Sequence, residues 1–221
     1  MTTDAFIDIY WSHYLSLEKE FVNTFQYVTL DRDNENAFSL TYAKLMLAIG
    51  SELDVVLKEY CLNIDVSFKK SYKTIGKYKE AIIKEKPEFV DQKVAIINHE
   101  LQIEPWKEWN NLPDAPWWWT VYNKVKHKRT SKVKIDGVEK EGYRFANQKY
   151  VMLALAGLYQ ILVYYYYEIA KEADDEVLTP MPASRLFKLT GGAWDKIGFY
   201  DELGFHIHDG YLMVVKSRIH Y

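Results

Sequence analysis

The chain has 221 residues, 48% of them hydrophobic and 27% charged, which suits one well-cored domain and excludes a disordered chain. A net charge of −3 excludes a polyanion binder by bulk charge, so any nucleic-acid surface has to be a local patch. Cys61 is the only cysteine, which excludes an internal disulfide and a multi-cysteine metal site and fits a reducing, cytoplasmic setting.

In chain order, residues 3–29 read as a long helix capped by Thr3 or Asp4, with a stripe of Phe6, Ile9, Tyr10, His13, Leu17, Phe21 and Phe25 at three- and four-residue steps. A polar turn at 31–36 leads to a second helix over 37–62, striped by Leu45, Ile49, Leu53, Val56 and Tyr60 with Gly50 inside it. A lysine- and tyrosine-rich segment follows, with a helix over 71–84 that Pro87 ends. Residues 91–101 read as another short helix. Pro105, Pro113 and Pro116 make 103–116 an irregular loop.

A helix then starts near Pro116 and frays near Thr130. It carries Trp117-Trp118-Trp119 and places Trp118, Val121, Tyr122 and Val125 on one buried side. Asn123 and His127 stand one turn apart on the adjacent face, surrounded by Lys124, Lys126, Lys128 and Arg129. Residues 130–141 read as a basic, then mixed, loop. Residues 145–173 are the longest helical pattern and are apolar nearly all round, as in a central helix. Within them, 150–167 carries no charge, the lower edge of a membrane span. Its tyrosines and Gln160 argue for a buried helix instead, so no membrane partner is expected. The consecutive Tyr164 to Tyr167 point in four directions, which leads to an expected homodimer contact.

Residues 174–184 read as an acidic, proline-bearing linker. Beyond it, 185–189, 205–208 and 211–215 alternate like strands, with Asp209-Gly210 as a hairpin turn. The expected organisation is a mainly α chain: a helical bundle over 1–173, the linker, and a small β appendage over 185–221.

The tract Trp117-Trp118…Tyr122-Asn123…Lys126-His127-Lys128-Arg129, followed by a long apolar helix, resembles the HEPN superfamily. The resemblance covers about residues 1–173. It implies a dimerising α-helical bundle of the kind found among metal-independent ribonucleases of toxin–antitoxin and phage-defence systems. It places Asn123 and His127 at a catalytic position in a dimer groove, with Lys124, Lys126, Lys128 and Arg129 on RNA phosphates. The histidine would work on a ribose 2′-hydroxyl as an acid–base group, without cofactor or metal. The family's arginine should stand at Thr120, Val121 or Tyr122 and does not. The alternative reading is therefore a non-catalytic interaction domain with a protein partner, which keeps the bundle and has lost the chemistry.

Other constellations carry less. His206 and His208 share a strand face, with Asp209 and His220 near in sequence, and two histidines fall short of a metal site. Glu52 and Asp54 could orient a basic group. No glycine-rich phosphate loop is present, and Gly191-Gly192 reads as a turn.

Overall fold

The structure, a computed structural model, describes residues 1–72, 74–110, 115–175, 178–191 and 194, and the backbone of 203–208 and 211–216. It is mainly helical. Helix α1 (Thr3–Phe6) opens under Thr2, whose hydroxyl accepts from the Ala5 amide at 3.2 Å, one residue before the expected cap. A π turn, Ile7–Trp11, joins it to α2 (Ser12–Asn23). This wide turn corrects the expected stripe. It inserts a residue into the helical phase, so Trp11 and Tyr14 turn inward beside Phe6, while Ile9 is left 57% exposed and His13 faces solvent.

Helix α3 (Leu40–Ile64) starts where the Ser39 hydroxyl accepts from the Tyr42 amide at 3.0 Å. Its expected stripe, Leu45 to Tyr60, is fully buried. Helix α4 (Ile75–Glu85) is capped by Thr74 and halted before Pro87. Helix α5 (Trp117–His127) follows Pro116, and α6 (Gln148–Glu172) is capped by Asn147, whose Oδ1 accepts from the Tyr150 amide at 3.0 Å.

Two segments differ from expectation. Residues 91–101 do not form a helix. They hold strand β1 (Lys93–Ile96), which pairs antiparallel with β2 (Gln102–Ile103) and with β5 (Phe187–Thr190), in the order β2-β1-β5. The decisive partner lies far along the chain, where no local pattern shows it. Residues 130–141 are a hairpin rather than a loop: β3 (Lys132–Ile135) and β4 (Val138–Glu141) turn through Asp136 and Gly137, both at positive φ. That Asp-Gly step is the ordinary signature of a tight hairpin turn. A third sheet is the antiparallel pair β6 (Leu203–His208) and β7 (Tyr211–Lys216). The expected Asp209-Gly210 turn, and the side chains of His206, His208 and His220, lie outside the described residues.

The segment after the linker is tied into the helical body. Buried Glu18 accepts from the Tyr14 hydroxyl at 2.6 Å, from the Ser184 hydroxyl, and from the Arg185 amide at 2.9 Å. Strand β5 thus enters the sheet from a carboxylate on α2.

Helix α6 is the centre of the bundle and packs on α1, α2, α3 and α5. Among the described residues it alone is long and apolar enough to cross a membrane, and 89% of that stretch is buried inside the fold. Its polar members are used internally. The Gln160 side chain donates to the Phe89 carbonyl at 2.7 Å, and that of Gln148 donates to the Val28 and Thr29 carbonyls. One chain also accommodates the tyrosine run. Tyr165 and Tyr166 pack edge-on against Phe6, Tyr164 packs against Phe89, and Tyr167 meets Trp194. The run therefore gives no ground for a homodimer.

Candidate nucleic-acid interface

The position of α5 is set by close contacts at small residues. A Cβ on Gly50 would fall 2.2 Å from Cδ2 of Tyr122, so the missing side chain is the notch in α3 that receives the Tyr122 ring. On α6, Gly157 lets Trp118 approach, and the Trp118 indole donates to the Pro105 carbonyl at 2.6 Å. Trp106 crosses Trp118 edge-on with ring centres 4.9 Å apart. At the far end, a Cβ on Gly142 would lie 2.4 Å from the Lys128 carbonyl oxygen. The hairpin's closing strand thus presses against the end of α5, and hydrogen bonds from Gly142 to Ser131 and from Tyr143 to Arg129 fasten it there. Trp118, Val121, Tyr122 and Val125 are buried, as their spacing requires.

What remains outside is polar. Asn123 is half-buried, and its side chain donates to the Trp119 carbonyl at 3.1 Å, one turn back on its own helix. Its amide nitrogen is therefore engaged locally. His127 is exposed one turn further on. Lys124 is half-buried, and Lys126, Lys128 and Arg129 are exposed. The Lys126 ammonium lies 5.3 Å from the Tyr122 ring centre and donates to its hydroxyl at 3.1 Å. Helix α5 ends at His127, earlier than expected, because Lys128 leaves helical geometry and Ser131 bonds back to its carbonyl.

Elsewhere, Lys44, Lys77, Lys84, Lys86 and Lys107 are each held by a carboxylate. Among the described residues Lys124, Lys126, Lys128 and Arg129 make no ion pair. The basic run does not extend evenly beyond them. In the hairpin register Lys132 faces Glu141 and Lys134 faces Glu139. The Glu141 carboxyl is held below its usual range, first by a backbone hydrogen bond and then by Arg144 and Lys132. Within the basic run, the cations without an acidic cross-strand neighbour are therefore those at the end of α5.

Several expected elements are not brought together. Glu52 reaches His13 at 3.3 Å, and Asp54 accepts from the Tyr78 hydroxyl at 3.2 Å, so neither serves α5. A cleft of about 570 Å³ lies beside α6, β1 and β5, walled by Tyr164, Tyr167 and Trp194, with the Lys86–Glu168 pair at its rim. A smaller one of about 220 Å³ involves Asp65 and Lys84. Neither reaches Asn123 or His127, so the expected groove is not formed by these clefts of one chain. The reading from sequence also missed Phe38, Tyr143 and Arg144, which the fold sets beside the α5 end. Their signal was faint: a glycine, Gly142, just before an aromatic and a cation.

Comparison with known proteins gives no match: no family model, no curated protein and no solved structure aligns with the chain.

Proposed function

We propose that this protein binds RNA through the exposed end of α5, as a HEPN-like bundle in a defence or toxin setting. The observation that carries the reading is the group of unpaired cations Lys124, Lys126, Lys128 and Arg129 around an exposed imidazole, on a helix locked by the Gly50 and Gly157 contacts. Backbone phosphates are the natural counter-ions of such a group, and Arg129 can present a bidentate fork to one of them. Two copies would bring two Asn123/His127 pairs to one strand and supply the groove that a single chain lacks.

Binding is supported better than turnover. Metal-independent cleavage needs an acid–base group at the 2′-hydroxyl and a charge-stabilising group at the phosphate. His127 offers the first, and no arginine stands at 120–122 to offer the second. The local bond from Asn123 to Trp119 favours the second reading, an interaction domain that kept the helix and lost the reaction.

The test is RNA binding by purified protein across a salt series. Wild type should bind at low salt, with log affinity falling linearly in log salt. Lys128→Ala with Arg129→Ala should weaken binding and flatten that slope by about 1.4, at roughly 0.7 per lost single-strand phosphate contact. His127→Ala should abolish any cleavage and leave the fold intact. Absence of wild-type binding at low salt overturns the reading.

A further inference from the structure

Phe38, Tyr143 and Arg144 form an exposed aromatic and cationic cluster beside the α5 end. Phe38 is 41% exposed and Tyr143 37%. The Phe38 and Tyr143 rings meet near a right angle, 73°, with centres 5.8 Å apart. The Arg144 guanidinium lies 5.1 Å from the Phe38 ring centre. These groups are firmly placed. Phe38 bridges to Asn147 at the start of α6, Gln148 and Lys149 donate to the Ala37 and Glu35 carbonyls, and the Tyr143 amide donates to the Arg129 carbonyl at 2.9 Å. One main-chain hydrogen bond thus separates the aromatic pair from the cations of the proposed RNA surface.

In an edge-on pair only one face of one ring meets its partner's edge, and the guanidinium takes one side of Phe38, so the pair does not close all of its own ring faces. Both rings are partly exposed, and the Tyr143 amide is bonded to the Arg129 carbonyl, so exposed ring surface lies on a residue joined directly to the end of the cationic run. We infer that Tyr143 and Phe38 are a stacking platform for unpaired bases of a single-stranded RNA whose phosphates lie on Lys128 and Arg129. The inference rests on the proposed RNA reading and deepens it to substrate class: single strand rather than duplex, whose bases are already stacked and whose faces are closed to side chains. Arg144 adds a planar cation on which a second base can lie. Stacking tolerates any base, so the surface favours unpaired strand without a fixed sequence.

The experiment compares three probes by fluorescence anisotropy: a labelled single-stranded oligonucleotide, the same length of abasic sugar-phosphate chain, and a perfect duplex. Wild type should prefer the base-bearing strand over both others. Tyr143→Ala with Phe38→Ala should lose about 5- to 100-fold affinity for it, with the salt slope unchanged, and should bind abasic chain as wild type does. Tyr143→Trp should keep the preference, which separates stacking from a folding defect. If the double variant loses affinity for abasic chain equally, or wild type shows no preference for bases, the platform is overturned while the phosphate-binding reading stands. If wild type binds no RNA, both fail. If wild type is instead a dimer that Phe38→Ala makes monomeric, the cluster is a contact between copies and the inference is wrong.

Discussion

Gly50→Ala tests how α5 is held. The added methyl would sit 2.2 Å from Cδ2 and 2.4 Å from Cγ of Tyr122, more than 1 Å inside the ordinary contact of about 3.5 Å. Cγ lies on the axis about which the ring flips, so turning the ring does not relieve the overlap, and either Tyr122 leaves its rotamer and its seat or α5 shifts. Trp119 on one side, 5.3 Å between ring centres, leaves the ring little room. Overpacking of this kind costs about 3 kcal/mol at the upper end of its range. Alanine gains about 1 kcal/mol over glycine inside a helix. The net expectation is a loss of about 2 kcal/mol, or roughly 4–8 °C in Tm for a chain of this size. In a Tyr122→Ala background the overlap is gone and the same substitution should stabilise by about 1 kcal/mol. The sign therefore reverses, with a coupling of about 3 kcal/mol. Urea denaturation of the four proteins of this cycle gives the numbers. A neutral or stabilising Gly50→Ala in wild type would refute the seating of Tyr122 in α3.

Further outcomes follow from other contacts. Glu18→Ala leaves the Tyr14 and Ser184 hydroxyls without their shared acceptor; it should cost about 3 kcal/mol and raise proteolysis within 174–184, read by denaturation and mass mapping of the cut. Burial pushes the phenols of Tyr14 and Tyr60 well up, and those of Tyr150 and Tyr165 up to about 12. Below pH 10 both folded and unfolded chains keep these protons and stability is complete. Above it the unfolded chain releases them first, and stability should fall by up to about 1.4 kcal/mol per pH unit for each such tyrosine. Ultraviolet titration should show these phenols ionising only as the chain unfolds, and ordinary titration near pH 10 in folded protein would contradict their burial. The Lys128 and Arg129 double change should alter the salt slope of RNA binding without altering Tm, since both side chains are exposed and unpaired.

Much of the helical frame was legible because its signals are local. The α3 stripe, the proline stop after α4, and the apolar girth of α6 each follow from neighbours within a few turns. The π turn was not legible, since one inserted residue in the helical phase leaves no mark in composition, and it exchanged Ile9 and His13 for Trp11 and Tyr14. Strand β1 was misread as a helix because its identity comes from β5, far along the chain. The β3–β4 hairpin was legible in Asp136-Gly137 and was overlooked among the lysines. At the site, the buried side of α5 and its exposed cations followed from helical spacing. Gly50 falls inside the α3 stripe, and no local pattern shows that it is the socket for Tyr122. The neighbours Phe38, Tyr143 and Arg144 arrive by tertiary contact alone.

The carboxylate of Glu18 waits for its partners through most of the chain's manufacture. Arg185 is 167 residues further on. At about 5–20 residues per second a ribosome takes roughly 8–33 s to cover that distance. In the later part of this interval, once Lys93–Ile96 has been made, β1 has one unpaired edge and the slot for β5 stays open until Phe187–Thr190 follows. The nascent chain therefore completes its last long helix, ending at Glu172, before that seam is sealed. That seam is where a chaperone would find it, and where two chains made side by side would trade β5.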